Sequence, residues 1–524
     1  MEAQITKKTG NDPMHCLVFP FRAAGLTKGW NKVTGMEASL IREIAMRERS
    51  GAKQELTIFA DGVPGDPPEI DLPRARVRVR TAAPATASQD DRLAFWFDQM
   101  WACIHPAAFT APCVPNDLLI AMYPHRYDST LGSFDQMVEH YDRYGVLCRN
   151  RQPAADYVAR FDALIRTIPD GSTVNWHDFF VADLIQQHGE DLRRRGAFQT
   201  FHCFLAHPNE LDKSREGQRL LETMAMVDRV YFLTDRYGQI FVEQVNRLGY
   251  RMPETRRFDL GIDCTTLDKS LDISRIRAAK LMRSTDKDQR PLIADILETQ
   301  FTIPHRFICL DRLDNIKGIH VVIRAVDAFL SHQSCCIEAL RRLYRFYFLT
   351  DYYHRYPPVD SRNAWHRYAD FVRRMLIPSL IAKYPGIVYF SDPVADRRLV
   401  GVLLRDAHAI TGSVQEGLGL AAQEALYVNA RLELPRSAII GSGGGFAIQT
   451  IDRGLGHLAE FPMRGSIEEF AAAISRIVST DAQTLRSNTQ KLVAESIAPR
   501  SAGITAGREE QDSDTRVSAA IQNR

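Results

Sequence analysis

The chain has 524 residues, 45% of them hydrophobic, 25% charged and 9% aromatic. That describes globular protein too long for one core and predicts two to four domains. A net charge of +2 gives no ground for nucleic acid or a membrane surface as partner, and no apolar run reaches the roughly eighteen residues of a membrane span. Nine cysteines with no C-x-x-C pair point to neither a zinc site nor a disulfide scaffold, and a reducing cytoplasm fits them best.

In chain order, short apolar runs alternate with helical segments, the signature of parallel α/β architecture. The opening MEAQITKKTGNDPMHC lacks the apolar core of a signal peptide. HCLVFPF (15–21) reads as the first strand, followed by a loop rich in Gly, Lys and Trp and the helix GMEASLIREIAMRE (35–48). ELTIFA (55–60) and ARVRVRT (75–81) read as strands. The stretch 90–165 reads as mainly helical, most clearly in GSFDQMVEHYDRYG and AADYVARFDALIRTI. STVNWHD (172–178), FQTFHCFLAH (198–207) and RVYFLT (229–234) are three more strands.

The pattern restarts near residue 300 after the joining stretch GYRMPETRRFDL. HRFICLDRLDNIKG (305–318) is a buried strand running into a polar loop, and HVVIRAVDAFLSH is the helix after it. FYFLTD (346–351), GIVYFSD (386–392), AHAITGS (407–413) and SAIIGSGGG (437–445) follow as strands with their exits. Two α/β halves would enclose a cleft, because ligands of open α/β sheets lie beyond the carboxyl ends of the strands. The glycine run at 441–445 lies near the end of the chain, the wrong context for a dinucleotide fingerprint. SAGITAGREEQDSDTRVSAAIQNR (501–524) is poor in large hydrophobes and reads as a disordered tail.

Two stretches carry chemistry. Arg312 and Lys317, five apart on the loop LDRLDNIKG, would stabilise the growing charge of a departing diphosphate. Read alone, the loop is better taken as a surface turn with an internal Arg312–Asp314 pair. In GSVQEGLGLAAQEAL (412–426), Glu416 and Glu424 flank a Gly-Leu-Gly-Leu turn. The glycines would expose backbone N–H groups at a helix N-terminus, a seat for an anionic or polyhydroxylated ligand. The plainer alternative is a loop entering an amphipathic helix with Glu424 solvated.

DRLDNIKGI resembles the R-L-D-x-x-K-G motif of trehalose-6-phosphate synthases, retaining glycosyltransferases of the two-Rossmann GT-B type. EGLGLAAQE resembles the D-G-M-N-L-V-A-K-E segment of that family and the E-x7-E motif of the broader retaining GT-B enzymes. In order along the chain, NWHDFF is similar to the family's I-H-D-Y-H, FHCFLAHP to L-H-I-P-F-P, FDLGID to P-x-G-I-D and SRNAWHRY to S-R-G-D-x-x-x-Y. The likeness spans about residues 15 to 480.

The resemblance implies a Rossmann-like acceptor domain over 1–255 and a nucleotide-sugar-binding domain over 256–480. A helix within 481–500 is expected to pack back on the first domain. Arg312 and Lys317 would hold the donor diphosphate, and Glu424 the ribose. Glu416, Gly417, Leu418, Gly419 and Leu420 would bind the donor sugar, and Gly35 would let the first helix approach the donor phosphate. His202 would touch a donor hydroxyl and Asp178 would orient the acceptor, although Asp178 as a plain helix cap and His202 as a satisfied strand-end histidine stay open. Arg22 and Arg362 would bind an acceptor phosphate near Trp101 and His105.

The implied donor is a UDP- or GDP-hexose and the acceptor a small sugar phosphate or polyol, with no cofactor and no metal. No nucleic-acid or membrane partner is expected, and a homo-oligomer is left open. Departures from the family are Glu416 for its aspartate, Gly419 for its asparagine, Arg92 where a tyrosine is expected, and an N-terminal loop without the glycine pair. They leave room for a pseudo-glycosyltransferase, a glucosylglycerol-phosphate-type synthase or a non-catalytic sugar-nucleotide-binding protein.

Overall fold

A computed structural model describes residues 14–22, 44, 47, 54–62, 68–82, 113, 115–122, 152–203, 211–258, 261–262, 264–272, 290–351, 364–391 and 399–497. Gly35, Trp101, His105 and Arg362 lie outside the described residues, as does the expected tail 501–524. So do Arg92 and the expected helix 35–48, save residues 44 and 47. Arg22 is described as backbone only, where it ends the first strand.

Two sheets carry the molecule. The first holds β1 (His15–Arg22), β2 (Leu56–Asp61), β3 (Glu69–Leu72), β4 (Val77–Thr81), β5 (Thr173–His177), β6 (Phe198–Cys203), β7 (Arg229–Phe232) and β8 (Glu254–Arg257) in the order β3-β4-β2-β1-β5-β6-β7-β8. Every pairing in it is parallel except β3 against β4. The second holds β9 (His305–Arg312), β10 (Tyr344–Asp351), β11 (Val388–Ser391), β12 (His408–Thr411) and β13 (Ala438–Ile440) in the order β11-β10-β9-β12-β13, all parallel. The strand order reverses direction beside β1 in the first sheet and beside β9 in the second. Open parallel sheets bind ligands at such switch points, outside the strand carboxyl ends.

The helices that position the site are α1 (Asn116–Met122), α2 (Asp235–Leu248), α3 (Ile319–Ser331), α4 (Ala364–Phe371), α5 (Leu420–Arg431), α6 (Gly445–Asp452), α7 (Ile467–Ser479) and α8 (Ala482–Ser496). Their ends follow the chemistry of caps. The Thr234 side chain accepts from Tyr237 N to open α2, Ser466 and Asp481 do the same for α7 and α8, and Gly249 closes α2 in the left-handed conformation. No helix among the described residues is long and apolar enough to cross a membrane.

The structure corrects the expected domain limits in three places. The joining stretch contains β8, which pairs with β7, so the first sheet runs past residue 255 to Arg257. Its residues Glu-Thr-Arg-Arg carry no apolar alternation, so hydropathy gives no strand signal there. Helix α1, within the expected acceptor domain, packs on the second half instead. Leu118 and Met122 are buried, Asp117 pairs with Arg324 of α3 at 3.0 Å, and the Met122 carbonyl accepts from Arg367 of α4 at 2.6 Å.

Helix α8 docks on α5 of its own half rather than packing back on the first domain. Thr489 Oγ1 donates to Arg436 O at 2.6 Å, Arg486 Nε donates to Glu433 O at 2.7 Å, and Leu492 sits fully buried in the second-half core. Leu492→Ala is therefore expected to cost about 2–5 kcal/mol, read as a fall in the urea midpoint. An unmoved midpoint would show that this docking contributes nothing.

Candidate active site

The site grows from close approach of backbones at the second switch point. After β9, Leu313 is buried and Asp314 caps a short 3-10 turn, its carboxylate accepting from Lys317 N at 3.0 Å. Gly318 follows at φ +61°, and a Cβ there would lie 2.9 Å from Gly412 O. The exit of β12 laces onto this turn, with Val414 N donating to Ile316 O at 2.8 Å. The glycine run at 441–445 then lies on the β12 exit, and a Cβ at Gly443 would stand 1.8 Å from Val414 O. The three loops meet backbone to backbone, which only glycine permits.

This lacing aims Lys317 into a cage of carboxylates. Its Nζ lies 3.0 Å from Asp311 Oδ1 and donates to Glu416 Oε1. Glu416 Oε2 accepts from Ser413 Oγ at 2.7 Å, and Thr411 Oγ1 lies 2.9 Å from that serine hydroxyl. Burial works against the Lys317 ammonium, but Asp311 and Glu416 outweigh it and hold its pKa above the usual lysine range. Burial likewise disfavours the Glu416 carboxylate, yet Lys317 keeps its pKa below normal. Asp311 is pushed up by burial against the pull of Lys317, and its Oδ2 has no hydrogen-bond partner among the described residues.

Arg312 pairs with Asp314 at 3.0 Å. The internal pair read from the sequence is thus present, but the turn is no surface loop, because Asp314 is buried while Arg312 stays part-exposed. Gly417 and Leu418 lead to Gly419, at φ +73° in the N-cap position of α5 with no side-chain cap. The first amides of a helix lack intrahelical acceptors, so α5 presents donors and positive potential beside Lys317. Glu424, one turn inside α5, is buried rather than solvated.

The first half brings the ends of β5 and β6 to this place, near enough for Arg312 to act on Asp178. Asp178 adopts φ 68°, ψ 167°, a region nearly reserved for glycine that costs a side-chain residue about 1–3 kcal/mol. The carboxylate accepts from Phe179 N at 2.7 Å, so it does cap a turn, while Asp178 N donates to His202 O at 3.0 Å. Burial pushes its pKa up to about 7, with the Phe179 amide and Arg312 of the other half pulling the opposite way. His202 is buried beside the rings of Tyr231 (4.7 Å) and Phe258 (5.3 Å) and pulled down to about 4 by that burial. It is a neutral imidazole at pH 7, and its Nδ1 finds no hydrogen-bond partner among the described residues.

Arg312, Lys317, Glu416, Gly417, Leu418, Gly419, Leu420 and Glu424 thus fall at one switch point, and Asp178 and His202 end adjacent strands of the other half. Sequence reasoning missed Asp311, Ser413 and Thr411. Asp311 precedes Arg312 directly in the quoted loop, but inside a strand its acid reads as alternation. Among the described residues no group of three or more His, Cys, Asp or Glu is placed to hold a metal ion.

No protein-family model and no curated protein matches the chain. Solved structures do match along nearly all of it. An α,α-trehalose-phosphate synthase (UDP-forming) from Burkholderia vietnamiensis aligns with TM-score 0.64 and 14% identity, over 92% of this chain and 94% of that one. An E. coli trehalose-6-phosphate structure bound with UDP-2-fluoro glucose aligns with TM-score 0.62 and 14% identity, over 92% and 96%. The N-terminal domain of a Candida albicans trehalose-6-phosphate phosphatase aligns with TM-score 0.60 and 13% identity, over 93% and 94%. The chain has the GT-B fold of these proteins, which agrees with the fold that its motifs imply.

Asp178 links this geometry to stability. A carboxyl whose folded pKa is raised from 3.8 to about 7 binds more protons folded than unfolded between those values, so its contribution is lost as pH rises through that window. Asp178→Asn keeps the cap acceptor and removes the ionisation. It is expected to melt higher than wild type at pH 8 and close to wild type at pH 4. Equal gaps at both pH values would contradict the assignment.

Proposed function

We propose that this protein is a retaining glycosyltransferase moving a hexose from a nucleotide diphosphate to a small phosphorylated sugar or polyol. The observation that carries the reading is the meeting of Lys317, Arg312 and the open N-terminus of α5 at one switch point, with Asp178 and His202 on the facing half. A diphosphate leaving group needs this fixed positive charge and open backbone donors.

In this reading Lys317 and Arg312 neutralise the diphosphate as the bond from the anomeric carbon to its oxygen breaks. The acceptor hydroxyl attacks that carbon from the same face, and its proton passes to the departing phosphate oxygen. No protein nucleophile and no cofactor take part. The protein orients the reactants and stabilises charge. Glu424 takes the ribose hydroxyls, and the amides of Gly417, Leu418, Gly419 and Leu420 face the donor sugar. His202 Nδ1 meets a sugar hydroxyl that satisfies its buried nitrogen. Asp178 receives the acceptor, with Arg22, Trp101, His105 and Arg362 as its phosphate and pocket residues. The described cysteines form no disulfide among themselves, which suits a reducing cytoplasm.

One observation favours a second reading, a protein that binds sugar nucleotides without turning them over. Glu416, longer than the aspartate of the family motif, holds the ammonium of Lys317 that a diphosphate would claim. The test offers UDP- and GDP-hexoses with a panel of sugar phosphates and polyols, with products read by mass spectrometry. Transfer is expected, and Lys317→Ala should lower turnover roughly 100- to 1,000-fold with the fold intact. Equal turnover in Lys317→Ala would overturn the diphosphate role. A nucleotide-dependent rise in melting point with no product from any acceptor would favour the second reading.

A further inference from the structure

One buried hydroxyl of the first half reaches the second half at the donor loop. Tyr237 lies in the first turn of α2, fully buried, and its hydroxyl donates to Glu416 O at 3.0 Å. The backbone of Glu416 is also fixed within its own half, where its N donates to Gly443 O at 3.1 Å and its O accepts from Gly445 N at 3.0 Å. A Cβ at residue 445 would stand 1.9 Å from Gly417 O and 3.1 Å from the Tyr237 hydroxyl. The bare glycine is what lets the loop and the phenol come together.

Filling the core under α2 needs only a ring, and a buried phenol hydroxyl is costly unless it finds a partner. The partner here is the main chain of the residue whose carboxylate holds Lys317. We propose that Tyr237 is a positioning residue through which the first half sets the donor-binding loop of the second, a role that rests on the glycosyltransferase reading. Turning the 416–417 peptide would break both bonds to the Glu416 carbonyl and shift the glycines that lead into α5 relative to the Glu416–Lys317 pair. The phenol hydroxyl from the first half and the Gly445 amide from the second together hold that carbonyl, and with it the start of the donor seat.

Among the described residues, the segment 113–122 meets the second half elsewhere. Cys113 O meets His320 Nε2 at 2.6 Å, and Asp117 and Met122 meet Arg324 and Arg367. These lie on the bodies of α3 and α4, not on Glu416 or Lys317. Tyr237 acts on the loop itself.

The test is Tyr237→Phe in the full chain, which keeps the ring and removes the donor. Amide hydrogen exchange of residues 412–420 in the unliganded protein is expected to quicken roughly tenfold, the scale of one lost hydrogen bond. The donor KM should rise by a similar factor, with kcat changed far less and the melting point moved by no more than a few degrees. Exchange identical to wild type in that loop would overturn the role. So would an unchanged donor KM with turnover falling only in step with folded protein, as a purely structural tyrosine would give. A wild-type chain that turns over no nucleotide sugar would sink the glycosyltransferase reading, and the exchange experiment, which needs no substrate, would still decide what Tyr237 does.

Discussion

Backbone contact without intervening side chains is the constraint on which the second half turns. The exits of β9, β12 and β13 touch through Gly318, Gly412, Gly441, Gly443 and Gly445, where a Cβ would stand 1.8 to 2.9 Å from a carbonyl oxygen. Each loop is the template for its neighbour. With those exits fixed, Lys317 sits between Asp311 and Glu416, and α5 begins at Gly419 with no side-chain cap.

The electrostatics follow from that rigidity. Lys317 and its carboxylate partners are largely buried, so Coulomb terms between them are stronger than at a surface, and breaking such a pair leaves a buried charge uncompensated. Three carboxylates, of Asp311, Asp314 and Glu416, surround two cations, Arg312 and Lys317. In the first half, burial raises the Asp178 carboxyl toward neutrality, to about 7. The second half thus presents a network of opposed full charges and the first half near-neutral groups.

Much of this was legible in the amino-acid order where local chemistry alone decides. The run Phe307–Leu310 breaking into Asp-Arg-Leu-Asp, and Ala409–Thr411 breaking into glycine, mark buried strands whose polar ends must lie at a sheet edge. Glu254–Arg257 was not legible as a strand, because its only signal is pairing with β7. In α8 the spacing of Leu485 and Leu492 shows which face is apolar but not what covers it. The glycines at 441–445, near the end of the chain, are out of context for a dinucleotide fingerprint. Their meaning lies in loops that the fold brings alongside. Tyr237 was invisible for the same reason, its partner being 179 residues away.

The placement of α1 has a consequence for how the two bodies can move. Its residues ride on the second half, while the strands before it, through Thr81, and after it, from Thr173, belong to the first sheet. The polypeptide must therefore pass between the halves three times: between 82 and 113, between 122 and 152, and beyond 258. A lone tether would let the halves part without disturbing either fold, whereas here they cannot separate far without unseating α1 from α3 and α4.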